Sequence, residues 1–182
     1  MREHLQAGIS HKEEGNLYFK QKDYANALKK YSKVRAYLSP MVAKKDQDND
    51  QFVNMIAGKG PEAQLTKEEQ KQAQTVMAQT FLNMSICYHL QQNFRRAVER
   101  AGESIDIQPT IKAYYRRSVA LVGLKDYWGA CKDLKEAIKM DKTDPNNFKH
   151  ELAKYEALAI QKDKKSDKKL RGFLNQTREV QE

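Results

Sequence analysis

His11-Lys12-Glu13-Glu14-Gly15-Asn16-Leu17-Tyr18-Phe19, followed by Asp23-Tyr24-Ala25-Asn26-Ala27, then Tyr31, Val34 and Ser39-Pro40, is the stretch from which the fold can be read. A small residue, Gly15, is followed by an aromatic, Tyr18. Ala27 and Tyr31 come next, and Pro40 closes the unit. The frame returns as Ser85, Tyr88, Ala97, Ala101, Ser104 and Pro109, and again as Ser118, Leu121, Ala130, Leu134 and Ala137. Small residues are needed where two helices cross closely, and larger apolar groups fill the gaps a turn away. A frame repeated in register predicts stacked helix–turn–helix units, each covering its neighbour's apolar face.

That skeleton resembles the tetratricopeptide repeat (TPR). The resemblance implies an all-α fold: a right-handed superhelix of three helix–turn–helix repeats, closed by a long C-terminal capping helix. The expected boundaries are repeat one at about 8–41, an insertion loop at about 42–65 and repeat two at about 66–110, with an extended first helix. Repeat three follows at about 111–144 and the capping helix at about 145–175. Thr66-Lys67-Glu68-Glu69 reads as a capping box that opens an apolar-periodic helix ending near Gln91. The insertion is polar, with some helix expected near Phe52–Ile56. Asp144-Pro145 reads as a capping acid before a proline at the first helical position. A stack leaves an apolar face at its end, and Phe148, Leu152, Tyr155, Leu158 and Ala159 recur at the spacing that would cover it.

Composition sets the outer limits. The chain has 182 residues, 31% of them charged and 40% hydrophobic, with 8 Gly and 4 Pro, which suits one helical domain. It shows neither a signal-peptide core at Met1-Arg2-Glu3-His4 nor an apolar run of membrane-spanning length, so no membrane insertion is expected. Cys87 and Cys131 are isolated and read as packed free thiols in a reducing compartment. The cytoplasm is the expected address, with nuclear access through the basic tail. The net charge of +9 points to an acidic partner without naming its kind.

The chemistry is carried by five polar residues. Lys12 and Asn16 are four apart, as are Lys112 and Arg116, so each pair shares one side of its helix. Asn83 sits two residues before Ser85, the small position of the second repeat. Asn is disfavoured inside helices, which makes Asn16 and Asn83 the informative pair. Two ammonium groups, a guanidinium and two carboxamides are rich in donors and poor in acceptors, so their natural ligand carries carboxylates.

These positions resemble the carboxylate clamp of TPR domains that hold the C-terminal Glu-Glu-Val-Asp tails of cytosolic heat-shock proteins 90 and 70. Lys12, Asn16, Asn83, Lys112 and Arg116 match all five clamp positions. The resemblance implies that Lys12 and the two Asn side chains hold the terminal carboxylate and the last Asp side chain. Lys112 and Arg116 would bind the second carboxylate and neighbouring backbone carbonyls. His11 to Asn16, Phe81-Leu82-Asn83 and Lys112-Ala113-Tyr114-Tyr115-Arg116-Arg117 are most similar to the TPR halves of FKBP-type immunophilins. Gln161-Lys162-Asp163 and Lys169 to Leu174 resemble the tail of the aryl-hydrocarbon-receptor-interacting protein. The arrangement as a stand-alone chain resembles the small tetratricopeptide-repeat protein 9 group. The expected function is therefore a co-chaperone adaptor.

Other classes leave weaker marks. His4, His11, His89 and His150 lack metal-ligand spacing, neither Cys adjoins a His, and Gly58-Lys59-Gly60 lacks the rest of a phosphate loop. No enzyme activity, cofactor, metal or small-molecule substrate is expected. The basic run from Lys162 to Arg171, beside Leu170, Phe173 and Leu174, reads as a solvated helix. A calmodulin, nuclear-import or nucleic-acid contact there is the sharper alternative. Nucleic acid is disfavoured by the acids that interrupt the basic surface. A scaffold using the last helix or the convex face is a further alternative. Trp128 is expected in the core.

Overall fold

The computed structural model describes residues 2–42, 66–141, 143 and 147–179, with side chains described to 171. Seven α-helices lie among the described residues: α1 Arg2–Lys20, α2 Tyr24–Val42, α3 Lys67–Leu90, α4 Phe94–Ile107, α5 Ile111–Gly123, α6 Tyr127–Met140 and α7 Phe148–Glu179. Each helix packs on the next in sequence, and α1 also touches α3 as α3 touches α5. The first helices of the three pairs therefore stand side by side, and the second helices form the other layer.

The packing follows the repeated frame. Ala27, Ala97 and Ala130 are fully buried, and the small positions bring the paired helices into contact. A Cβ on Gly15 would lie 2.5 Å from a ring carbon of Tyr31, so this close crossing excludes even a methyl group. In the second pair the Ser85 hydroxyl donates to the Ala97 carbonyl at 2.8 Å. One core gathers Leu5, Tyr31, Val34, Leu38, Phe81 and Cys87, and a second gathers Leu134, Ala137, Phe148 and Tyr155. Both cysteines are free and buried. Phe148, Tyr155 and Ala159 bury the inner face of α7 against the third pair, with Leu152 and Leu158 partly buried beside them.

The three turns share one construction. Lys22, Gln92 and Lys125 adopt φ of 62°, 59° and 60°, the left-handed region. Around them, Asp23 N donates to Tyr18 O, Asn93 N to Tyr88 O and Asp126 N to Leu121 O, which closes each preceding helix with a Schellman motif. The same Asp23, Asn93 and Asp126 then cap the following helix, accepting from Asn26 N, Arg96 N and Gly129 N. One acidic or amide residue thus ends one helix and begins the next, which fixes the angle within each pair.

Three expectations meet the structure differently. The capping box at Thr66 is present, with Glu69 N donating to the Thr66 hydroxyl at 3.2 Å and Thr66 N donating to the Glu69 carboxylate at 2.9 Å. Pro40 does not close its unit, because α2 continues through it to Val42. Proline forfeits one backbone hydrogen bond there, but Met41, 7% exposed in the first core, carries the helix onward by burial. Trp128 is not a core residue. It is 50% exposed, and its indole N–H donates to Asp163 on α7 at 3.0 Å. Being early in α6, it faces the last helix rather than the interior. The insertion and its expected helix near Phe52–Ile56 lie outside the described residues, as does Asp144-Pro145. The last helix, as described, begins at Phe148 after Asn147 at φ 54°. Residues from Ile160 to Arg171 are exposed, with Lys162 and Asp163 still reaching the third pair at the Lys125 carbonyl and the Trp128 indole.

Candidate functional site

Lys12 and Asn16 on α1, Asn83 on α3 and Lys112 on α5 line one cavity of about 500 Å³ on the layer formed by the first helices. Asn16 and Asn83, 67 positions apart, meet directly: Asn83 Nδ2 donates to Asn16 Oδ1 at 3.0 Å. The same oxygen accepts the Tyr31 hydroxyl at 2.8 Å. Burial pushes the Tyr31 phenol up to about 12, so it stays a donor throughout the neutral range. With two donors on its carbonyl oxygen, the Asn16 amide has a fixed orientation. Its Nδ2 makes no bond among the described residues and remains available to a ligand acceptor. Gly15, directly before Asn16, is what lets the Tyr31 ring approach α1 closely enough to reach it.

Lys12 reaches across to α3, where its Nζ donates to Gln79 Oε1. Burial lowers the Lys12 pKa, with Glu13 opposing the shift. A half-buried ammonium resting on a neutral amide is poorly compensated, and a carboxylate in the cavity would relieve it. No Asp or Glu lines the cavity among the described residues.

Lys112 stands in the first turn of α5, whose start is fixed by Thr110 Oγ1 accepting from Ala113 N at 3.2 Å. A cation at a helix N-terminus opposes the helix dipole by about 0.3–1 kcal/mol, a placement that stability alone does not favour. Arg116 does not line the cavity. It lies one turn further along the same face of α5, exposed, with its guanidinium carbon 5.9 Å from the Tyr115 ring centroid. It is near enough to His89 to add to the burial that lowers that histidine's pKa. Four of the five expected residues thus share one cavity, and Arg116 flanks it on the same helix as Lys112.

The neighbouring Arg117 is otherwise engaged. Its Nε and Nη2 donate to the two oxygens of Asp133 at 2.8 and 2.7 Å, joining α5 to α6. Asp133 is 2% exposed. The two adjacent arginines therefore divide the work, one held by the fold and the other left at the surface.

Sequence reasoning missed Gln79, Thr75 and Tyr31. Thr75, Gln79 and Asn83 follow each other at intervals of four on α3 and all line the cavity, so helical spacing from Asn83 could have found the first two. Nothing local marks Tyr31 as the residue that orients Asn16. Among the described residues there is no group of His, Cys, Asp and Glu arranged to hold a metal. None of the described helices is long and apolar enough to cross a membrane.

No protein-family model matches the chain. It is 25% identical over 146 residues to the human peptidyl-prolyl cis-trans isomerase FKBP4, covering 80% of this chain and 27% of that protein. It is 30% identical over 131 residues to protein unc-45 homolog B of Xenopus laevis, covering 71% of this chain and 11% of that one. The chain therefore spans about a quarter of the first relative and a tenth of the second. The C-terminal TPR-containing domain of a Plasmodium falciparum FK506-binding protein superposes with a TM-score of 0.67 at 20% identity, covering 92% and 95% of the two chains. The first TPR domain of Spaghetti (RPAP3), solved bound to the HSP90 peptide SRMEEVD, superposes at 0.59 and 22%, covering 85% and 94%. The TPR2B domain of yeast Sti1, solved with an Hsp70 peptide, superposes at 0.57 and 19%, covering 86% and 98%. With its paired helices, its repeated frame and these neighbours, the chain has the tetratricopeptide-repeat fold and resembles the TPR domains of an FK506-binding protein, RPAP3 and Sti1.

Proposed function

We propose that this protein is a peptide-binding adaptor whose first-helix groove grips the acidic, free C-terminus of a heat-shock protein 90 or 70. The observation that carries the reading is the cavity built by Lys12, Asn16, Asn83 and Lys112, which is rich in donors and lined by no carboxylate among the described residues. In this reading the unengaged Nδ2 of Asn16, the Asn83 amide and Lys12 hold the terminal carboxylate and the last Asp side chain. Lys112 and Arg116 take the second carboxylate and nearby carbonyls. A ligand carboxylate would draw Lys12 from Gln79 and restore its ordinary affinity for a proton. Two neighbours of the same fold were solved with tails of this kind, which supports the choice of ligand. The cytosol, where such tails are exposed, is the compartment that fits.

The test is a calorimetric titration with a peptide ending in free Glu-Glu-Val-Asp and with its C-terminal amide. Amidation and Lys112→Ala should each weaken binding by about 1–3 kcal/mol, roughly 5–150-fold, the scale of charge-assisted hydrogen bonds. Equal affinity for acid and amide would sink the proposal.

A further inference from the structure

The second-helix layer carries a basic cleft that the proposed tail-binding groove does not use. It lies between α2 and α4, has a volume of about 600 Å³, and is lined by Arg35, Arg96 and Arg100 with Ser39 and Ser32, whose hydroxyl donates to the Leu28 carbonyl. Ser32, Arg35 and Ser39 recur at helical spacing on α2, and Arg96 and Arg100 are one turn apart on α4, so both walls present their polar stripes to the same space. Glu99 is the one carboxylate in this lining.

The arginines are not all used by the fold. Arg35 is exposed and has no ion pair or hydrogen bond among the described residues. Arg96 lies over the Tyr88 ring at 5.6 Å, a contact that positions the guanidinium without neutralising it. Arg100 gives Nη1 to Glu103 at 2.6 Å and rests 5.9 Å from the centroid of Phe81. Its Nε, however, is buried with no hydrogen-bond partner. A buried donor without an acceptor is costly, and this one belongs to a side chain lining the cleft.

We propose that this cleft binds a phosphate monoester carried on a peptide, a phosphoserine or phosphothreonine segment. Arg100 is already paired with Glu103, so with Glu99 the three guanidiniums leave one net positive charge and two unpaired guanidiniums, Arg35 and Arg96, which the three oxygens of a strongly charged phosphomonoester can engage together. Its three acceptor oxygens suit planar guanidinium donors, which bind phosphate in bidentate fashion. A nucleotide is the poorer fit, since the Tyr88 face that a base would stack on is already covered by Arg96. The site would let a phosphorylated partner dock on one layer of the domain while the other layer holds a chain terminus.

The experiment uses the full chain, labelled for backbone NMR, and a short Gly/Ala peptide with both ends blocked and one central residue that is phosphoserine, serine or glutamate. Blocking the C-terminus denies the probe to a carboxylate clamp. Phosphoserine should give saturable shifts at residues 32–39 and 96–100, and the serine and glutamate peptides should bind at least about tenfold more weakly. Arg35→Gln, at an exposed position that leaves the fold intact, should reduce phosphopeptide affinity about tenfold. Arg100→Lys, which keeps the charge but loses the planar donor pair, should do the same. Lys112→Ala should leave it unchanged. The proposal is overturned if glutamate binds as well as phosphoserine, if neither arginine change matters, or if Lys112→Ala removes the binding. Inorganic phosphate binding as tightly as the phosphopeptide would overturn the peptide assignment.

Discussion

Arg116 and Arg117 are adjacent and chemically identical, yet replacing each by alanine should produce opposite phenotypes. Arg117 makes a two-bond pair with Asp133, whose side chain is only 3% exposed while that of Arg117 is 27% exposed. Alanine at 117 would leave the Asp133 carboxylate buried and unpaired, which costs about 3–5 kcal/mol. In a domain of this size that lowers the unfolding midpoint by roughly 6–20 °C. It would also remove a side-chain link between α6 and α5, the helix that carries Lys112. Arg116 is exposed and makes no ion pair among the described residues, so its alanine variant should stay within about 0.5 kcal/mol of the parent. That variant should instead lose about 1–3 kcal/mol of affinity for the free-acid peptide. Urea unfolding and calorimetric titration of both variants separate the two roles. A further check is the pair Arg117→Met with Asp133→Leu, which should recover most of the stability lost by Arg117→Ala, because removing both charges removes the unpaired one. The reasoning is refuted if Arg117→Ala unfolds like the parent, or if Arg116→Ala destabilises as much as Arg117→Ala does.

Three other changes probe the frame. Gly15→Ala would force a methyl against the buried Tyr31 ring, costing about 1–3 kcal/mol in urea unfolding; it should also weaken the acidic peptide, by moving the phenol that orients Asn16. Lys22→Gly, at φ 62°, should stabilise the fold by up to about 1 kcal/mol by relieving the left-handed strain, and a lowered thermal midpoint would contradict that. His89 has its pKa lowered by burial and by Arg116 from the ordinary 6.5. The unfolded chain therefore takes up this proton at higher pH than the folded one, and the stability His89 contributes above about pH 6.5 should be lost as pH falls below it. His89→Gln should flatten that part of the stability-versus-pH curve, and an unchanged slope would remove His89 as its source.

The repeat was legible because its determinants are local. Gly15 with Tyr18, or Ser85 with Tyr88, are marks left by one helix on its own sequence, and Ala27, Ala97 and Ala130 record where the partner helix crosses. The positions of Lys12, Asn16, Asn83 and Lys112 could be read for the same reason, since each belongs to the face its helix turns to the other first helices. The turns were less legible. Lys22, Gln92 and Lys125 adopt the left-handed region without being glycine, so the usual sign was missing and only the backbone geometry shows the shared motif. Pro40 and Trp128 misled for a related reason: burial of Met41 outweighs one lost hydrogen bond, and an aromatic early in α6 meets the last helix rather than the core.

Sequence by itself determined the three-fold frame, the helical class and a donor-rich set of side chains, because short-range spacing and side-chain chemistry suffice for these. Tertiary structure alone decided what those side chains are free to do. The Asn16 amide is oriented by a phenol 15 positions away and an amide 67 positions away. Arg117 is consumed by an aspartate on the next helix while Arg116 is left exposed. The arginines of α2 and α4 face a common cleft although some 60 residues separate them. Each of these depends on partners brought together only when helices stack, and no pattern within one helix encodes which of two similar side chains the stacking will use.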